Sequence, residues 1–384
     1  MNTQNNKFFH RVQHLPLACS GLALGISGYA SLIDVILQKY IGAEKNNIWI
    51  FSSILIPIAI LLITLLTFKY VRHTKIMKFE MKDPLFSSFL PTYSMVLMCI
   101  AGYVAGWEKG NGWIAVNQVF GAIIMCAALT MQIVLLVFFI KEVLLRHSWN
   151  LNPVYGSWFV PSVGMATATT FANRFSQLIL PDEFFQGIWY FTFVWYIVLL
   201  IPLTYSMLFK TKVPSDKLAS TAVYFAPANL TMAGFLQTFS LNERANAIYL
   251  GSNFIPGMSI CLWAFGFSMM IILIIFSIKI LFKTKFSFLF ASLTFPLSIS
   301  AAGAEYMTLY LSSLKLEHQL IYTFWQVAGT LSIAFSIIVT LVMLYIVPIF
   351  IYKVGEILFT KKYDDKCHCV YEESKQEVEI KNAI

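Results

Sequence analysis

Residues 287–312 read SFLFASLTFPLSISAAGAEYMTLYLS. The run holds no Lys or Arg and a single acidic residue, Glu305, and it is long enough to cross a bilayer, since about 20 helical residues at about 1.5 Å each cover the hydrocarbon core. Pro296 stands near its start, and the small residues from Ser298 to Ala304 follow. Working outward, comparable apolar runs lie at 15–37, 48–68, 86–106, 113–139, 158–180, 184–209, 217–239, 248–278 and 320–352. In lipid each backbone amide must be satisfied within its own segment, so runs of this length predict helices, and the alternation of a barrel strand is absent. The expectation is an all-α integral membrane protein of ten transmembrane helices. It divides into a cytoplasmic segment at 1–14, a transport domain at 15–352 and a polar cytoplasmic tail at 353–384.

Composition points the same way. Of 384 residues 58% are hydrophobic and 12% charged, with a mean hydropathy of +0.71, which a lipid-facing exterior explains better than a water-soluble core. The polar start, Met1 to His14, runs into an apolar stretch longer than a signal-peptide core, so the first span is expected to stay in the membrane. The net charge of +8 is not the footprint of a nucleic-acid binder, because the basic residues sit in short connections between apolar runs. With ten spans, only Lys39, Lys45, Lys109, Arg174, Arg244 and Lys315 fall on one side, and the other 21 of the 27 basic residues fall on the opposite side. The positive-inside rule then puts both termini in the cytoplasm, as a multi-pass protein of a bacterial inner membrane. The cysteines Cys19, Cys99, Cys126 and Cys261 lie in apolar runs and form no disulfide framework.

Each odd-numbered span carries a proline near its cytoplasmic start: Pro16, Pro91, Pro161, Pro227 and Pro296, separated by 75, 70, 66 and 69 residues. This is the period of one helical hairpin, and five repeated hairpins predict a quasi-five-fold ring around a central pore. Small residues follow each proline, among them Gly21, Gly25 and Gly28, Ser94, Gly164, Thr167 and Ala168, Ala228, and Ser298 and Ala302. One reading is close helix packing of the small-xxx-small kind. The other is that five odd helices form an inner ring whose small faces line a narrow passage. There each proline kinks its helix and frees a backbone carbonyl toward the lumen, and hydroxyls such as Ser94, Thr167 and Ser298 replace part of an ion's hydration.

Four stretches resemble the tellurite-resistance and dicarboxylate transporter family, which takes in the bacterial protein TehA, the yeast malate permease and the slow anion channels of plant guard cells. They are Leu15-Pro16 with Gly21-Leu22-Ala23-Leu24-Gly25-Ile26, Ser157-Trp158-Phe159-Val160-Pro161, Ala226-Pro227-Ala228, and Thr294-Phe295-Pro296-Leu297. The resemblance implies five hairpins around a pore, a homotrimer with one pore per subunit, small anions as cargo, and Phe295 as a gate across the pore.

Glu305 and Arg174 are the ionisable residues that stand out within or beside spans. Glu305 follows Phe295, Ser298 and Ala302 at helical spacing and is expected to face the pore from its outer half, as a proton site or paired with Arg174. Arg174 is expected at the outer mouth, where its charge would concentrate anions. Asp34 at the outer end of the first span is expected in water. Cys367-His368-Cys369 has ligand residue types without a second pair at zinc spacing, so neither a metal nor another cofactor is expected. No nucleophile, acid or base converges at one depth, which argues against an enzyme. The functional expectation is an anion channel or transporter gated by Phe295. The alternative is a proton-coupled carrier of malate-like dicarboxylates, or an exporter of sulfite or tellurite, with Glu305 as the proton site.

Overall fold

The computed structural model describes residues 8, 10–41, 49–107, 114–145, 154–210, 213–241, 254–314 and 319–360. Cys367-His368-Cys369, the rest of the tail from 361, and Lys7, Lys45, Lys109, Arg146, Lys212, Arg244 and Lys315 lie outside them.

Every element assigned among the described residues is helical. The main ones are α1 (Ala18–Ile36), α2 (Trp49–Arg72), α3 (Thr74–Glu80), α4 (Pro84–Phe89), α5 (Thr92–Gly106), α6 (Ile114–Phe139), α7 (Val160–Val163), α8 (Ala166–Thr169), α9 (Asp182–Phe209), α10 (Ala226–Phe235), α11 (Phe254–Lys283), α12 (Ala291–Ser313) and α13 (Gln319–Phe359). They provide eight stretches long and apolar enough to cross a membrane.

The fifth and seventh expected spans are not continuous α-helices. The fifth is a chain of short pieces: a 3₁₀ turn at Gly156–Phe159, then α7 and α8, then a 3₁₀ turn at Ala172–Arg174. Its amides bond three residues back, as from Thr167 to Gly164, Ala168 to Met165 and Phe171 to Ala168, the tighter winding of a 3₁₀ helix. The hydroxyls of Thr169 and Thr170 bond back to the Ala166 and Thr167 carbonyls, competing with regular α-helical bonding. The seventh runs as a 3₁₀ stretch at Ser215–Phe225, then α10, then a π-helical turn at Leu236–Ser240. Pro161 and Pro227 stand in the first turn of α7 and α10, where a missing amide hydrogen costs nothing. Pro91 precedes α5, and Pro16 lies before α1. Of the five repeated prolines, Pro296 alone sits inside a helix. The last helix also passes the expected end at 352 and runs to Phe359, because Val354, Ile357 and Leu358 are buried and Arg11 donates to the Leu358 carbonyl.

Burial separates the odd spans from the even ones. In the most apolar window of the first, third and ninth spans, 72%, 78% and 89% of residues are buried, against 22–39% in the even spans. The small-residue helices are therefore inside, and the bulky ones present apolar side chains outward. α1 packs on α5, α5 on α8, α8 on α10, α10 on α12, and α12 back on α1, so the order of contacts returns to its start. Each even span packs on the odd one before it: α2 on α1, α6 on α5, α9 on α8, α11 on α10 and α13 on α12.

Small residues permit these crossings. A Cβ at Gly25 would collide with the Thr294 side chain of α12, and one at Gly102 with the ring of Phe171. Where α1 meets α5, hydroxyls join instead, with Ser20 and Thr92 2.7 Å apart. At Gly21 a Cβ would lie 3.8 Å from that of Ala291, an ordinary contact. Gly25→Ala should therefore destabilise the protein by about 1–3 kcal/mol, while Gly21→Ala should fold as well as wild type. Thermal unfolding in detergent compares the two, and equal melting temperatures would remove the close crossing from the account.

Candidate functional site: the inner cavity

The five inner segments converge on one cavity at their proline-bearing ends. Gly21 of α1, Met95 of α5, Gly164 between α7 and α8, Leu230 of α10 and Phe295 of α12 each line it. The space open to the centre of a water-sized sphere is about 30 Å³, room for one or two waters. Among the described residues, no charged one lines it. Thr92 and Ser292 do, but their hydroxyls donate to the Phe89 and Leu289 carbonyls, each at 2.7 Å. A narrow apolar space of this kind resists wetting and therefore resists ions.

Phe295 is only 7% exposed, and its ring lies against α1 at Gly28. A Cβ at Gly28 would stand 3.3 Å from Phe295 Cδ2 and 3.4 Å from Ser298 Cβ. Glycine there makes room for the ring. Thus Gly21 and Gly164 border the cavity with Phe295, Pro227 and Pro296, whereas Gly25 and Gly28 serve the α1–α12 contact. Ala168, Ala228 and Ala302 are buried outside the cavity lining.

The hydroxyls divide into two groups. Most bond to their own helix, as Ser20 to Leu17, Thr231 to Pro227, Thr294 to Ala291 and Ser300 to Pro296. Ser94 donates to the Pro91 carbonyl and to Gln132 Oε1 of α6, so it faces the fourth span. Thr167 Oγ1 and Ser298 Oγ are buried with no hydrogen-bond partner. These two hydroxyls keep unused polar capacity in the interior.

The carbonyl four residues before Pro161, that of Ser157, accepts from the Val160 amide, and Gln132 Nε2 donates to the Val160 and Pro161 carbonyls at 2.9 and 3.1 Å. The reason is burial: Gln132 is fully enclosed in an apolar helix, where its amide needs partners, and the broken fifth segment supplies them. The sequence signal was a lone Gln in the most apolar part of α6.

Glu305 does not pair with Arg174. It is fully buried, and its Oε2 accepts from Lys39 Nζ at 2.9 Å and from the Tyr40 hydroxyl at 3.3 Å, while Ser336 of α13 donates to Oε1 at 3.4 Å. Lys39 sits on a π-helical turn, Leu37–Ile41, that ends the first span and brings its ammonium to the seam of α1, α12 and α13. A buried charge demands such pairing. Arg174 closes the fifth segment, with its carbonyl and the Ser176 amide held by Gln118 of α6. Asp34, expected in water, is 2% exposed.

Long apolar helices around an inner set of small-faced segments, with an apolar cavity whose wall carries the rings of Phe89, Phe159 and Phe295, define a multi-pass membrane protein. The family model described as voltage-dependent anion channel, SLAC1, matches residues 14–348, and the chain belongs to that family. It is a family of anion channels and transporters. No curated protein matches the chain.

Replacing Gln132 by Leu removes the donor that the Val160 and Pro161 carbonyls share. The expected cost is about 1–3 kcal/mol, read as a lower melting temperature, and an unchanged melting temperature would deny Gln132 this role.

Proposed function

We propose that the protein is an anion-conducting pore. Ten segments, as five hairpins, surround one passage in a quasi-five-fold ring, and Phe295 closes it. The observation that carries this reading is that all five inner segments of a member of an anion-channel family contribute to one apolar cavity with the Phe295 ring in its wall. A gate of this kind works by sterics and dewetting, so displacing a single ring opens the path. Beyond the ring, the unpartnered hydroxyls of Thr167 and Ser298 offer weak donors to a dehydrating ion. Arg174 adds positive charge near the outer mouth. In this reading the proline-bearing ends and both termini are cytoplasmic, the membrane is a bacterial inner membrane, and the protein is a homotrimer with a pore in each subunit.

The alternative, a proton-coupled carrier of dicarboxylates or an exporter of sulfite or tellurite, needs a proton site on the path. Glu305 was the residue for that role. Its ion pair with Lys39, at the seam with α13 and outside the cavity lining, favours the channel over the carrier.

Purified protein in liposomes tests the proposal through chloride or nitrate flux. Phe295→Ala should raise flux about tenfold, a barrier lower by about 1.4 kcal/mol. Wild-type flux should need no pH gradient. Unchanged flux in a normally folded Phe295→Ala protein would remove the gate, and transport of dicarboxylate only with proton flux would replace the channel by the carrier.

A further inference from the structure

The chain folds back where the second span ends. α2 stops at Arg72, His73 is non-helical with φ −124° and ψ 60°, and α3 begins at Thr74. On one continuous helix Lys69 and Glu80 would stand about 16 Å apart along the axis. Instead Lys69 Nζ donates to Glu80 Oε1 at 2.5 Å, and the Tyr70 hydroxyl donates to Glu80 Oε2 at 2.7 Å. Lys69 is buried and also donates to the Leu15 carbonyl at 2.8 Å, so this turn lies level with Pro16, at the proline-bearing end of the inner segments. α3 is thereby strapped across the end of a membrane span instead of projecting away from it.

Pinning Glu80 fixes which side of α3 faces outward. Met77 and Met81 share its side of the helix and pack on the core. Lys75, Lys78, Phe79 and Lys82 follow at the spacing i, i+3, i+4, i+7 of the opposite face, and all four are exposed. Lys82 belongs to the turn that prolongs α3, its amide bonding to the Phe79 carbonyl at 3.0 Å. Just before the fold-back, Phe68 and Val71 of α2 are exposed apolar side chains of the kind that meet lipid. Among the described residues, none of the three lysines takes part in an ion pair. The acidic residues of the same stretch are engaged elsewhere, Glu80 by Lys69 and Tyr70, and Asp83 by the Leu85 and Phe86 amides at the start of α4.

Three unpaired ammonium groups around an exposed aromatic ring, at the rim of a lipid-facing helix, complement a bilayer surface that carries negative headgroups. The ring reaches the boundary of the acyl chains, and each lysine lays its apolar stem there while its charge stays with a phosphate in water. We infer that α3 is a docking face for anionic phospholipid at the membrane surface on the proline-bearing side, with Lys75, Lys78 and Lys82 on the headgroup phosphates and Phe79 in the interface. The inference needs the membrane-spanning fold and not the pore. It gives the buried Lys69–Glu80 pair a task, which is to hold this face toward the lipid.

The test uses the full-length purified protein in neutral detergent. Thermal unfolding is followed against added phosphatidylglycerol, with phosphatidylcholine as the uncharged control. Wild type should be stabilised more by phosphatidylglycerol. Lys78→Gln should raise the phosphatidylglycerol concentration giving half the effect about fivefold, the scale of one lysine at an anionic surface. Phe79→Ser, which changes no charge, should raise it as well. The triple variant Lys75→Gln, Lys78→Gln, Lys82→Gln should melt as wild type does in phosphatidylcholine and lose the difference between the two lipids. The control triple variant Lys279→Gln, Lys283→Gln, Lys285→Gln removes three exposed lysines at the end of α11 and should keep that difference. Equal losses from the two triple variants would reduce the effect to net charge and overturn the inference. An unchanged phosphatidylglycerol response in the α3 triple variant would overturn it too, and an altered oligomeric state alongside would assign the face to a second copy. Stabilisation of wild type by soluble glycerol phosphate equal to that by the lipid would assign the lysines to a free phosphate and likewise overturn it.

Discussion

The crossing of α1 and α12 sets the geometry of the interior. Gly25 and Gly28 let the α12 backbone approach until Thr294 and the Phe295 ring fill the space that side chains would have taken. The Phe295 ring is thereby pressed against α1 on one side and exposed to the cavity on the other. Apolar side chains gain little from facing one another rather than lipid, so such contacts depend on close van der Waals fit and on hydroxyl bonds such as Ser20 to Thr92. Bulk at the α1–α12 seam would move the ring and the cavity wall together.

The second constraint is that polar groups inside the membrane need partners. It explains why Gln132 reaches from the fourth span to the interrupted fifth, and why Glu305 meets Lys39 at a seam between helices. It also explains the Ser and Thr residues of the inner helices, most of which bond to their own backbone. Against that background the exceptions carry information. Thr167, Ser298 and Asp34 Oδ2 keep unused polar capacity in the interior, at different heights along the inner segments.

Much of this was legible in the sequence. The apolar runs located the long helices, the proline period singled out the odd spans as one set, and burial puts the first, third and ninth of them inside. The broken fifth and seventh segments were not legible, because hydropathy measures apolar content and is blind to whether the backbone winds as α, 3₁₀ or π helix. Helical spacing correctly set Glu305 on one stripe with Ser298. A stripe names residues that share a face, however, and not the neighbour they face; here that neighbour is α1, through Gly28 and Lys39. Asp34 and Lys39 looked like span ends in water because a count of basic residues by side treats connections as solvent, whereas the first span continues through a π-helical turn that folds Lys39 back onto the protein.

In the proposed pore, the inner segments enclose a solute path which Phe295 closes. That closure is tested most directly by placing a single cysteine at Ser298, in a protein with its native cysteines replaced, and measuring its rate of modification by a small anionic thiol reagent added from the proline-bearing side. Modification should be slow when Phe295 is present and much faster when Phe295→Ala is combined with it. Equal rates with and without the ring, or no modification in either protein, would contradict it.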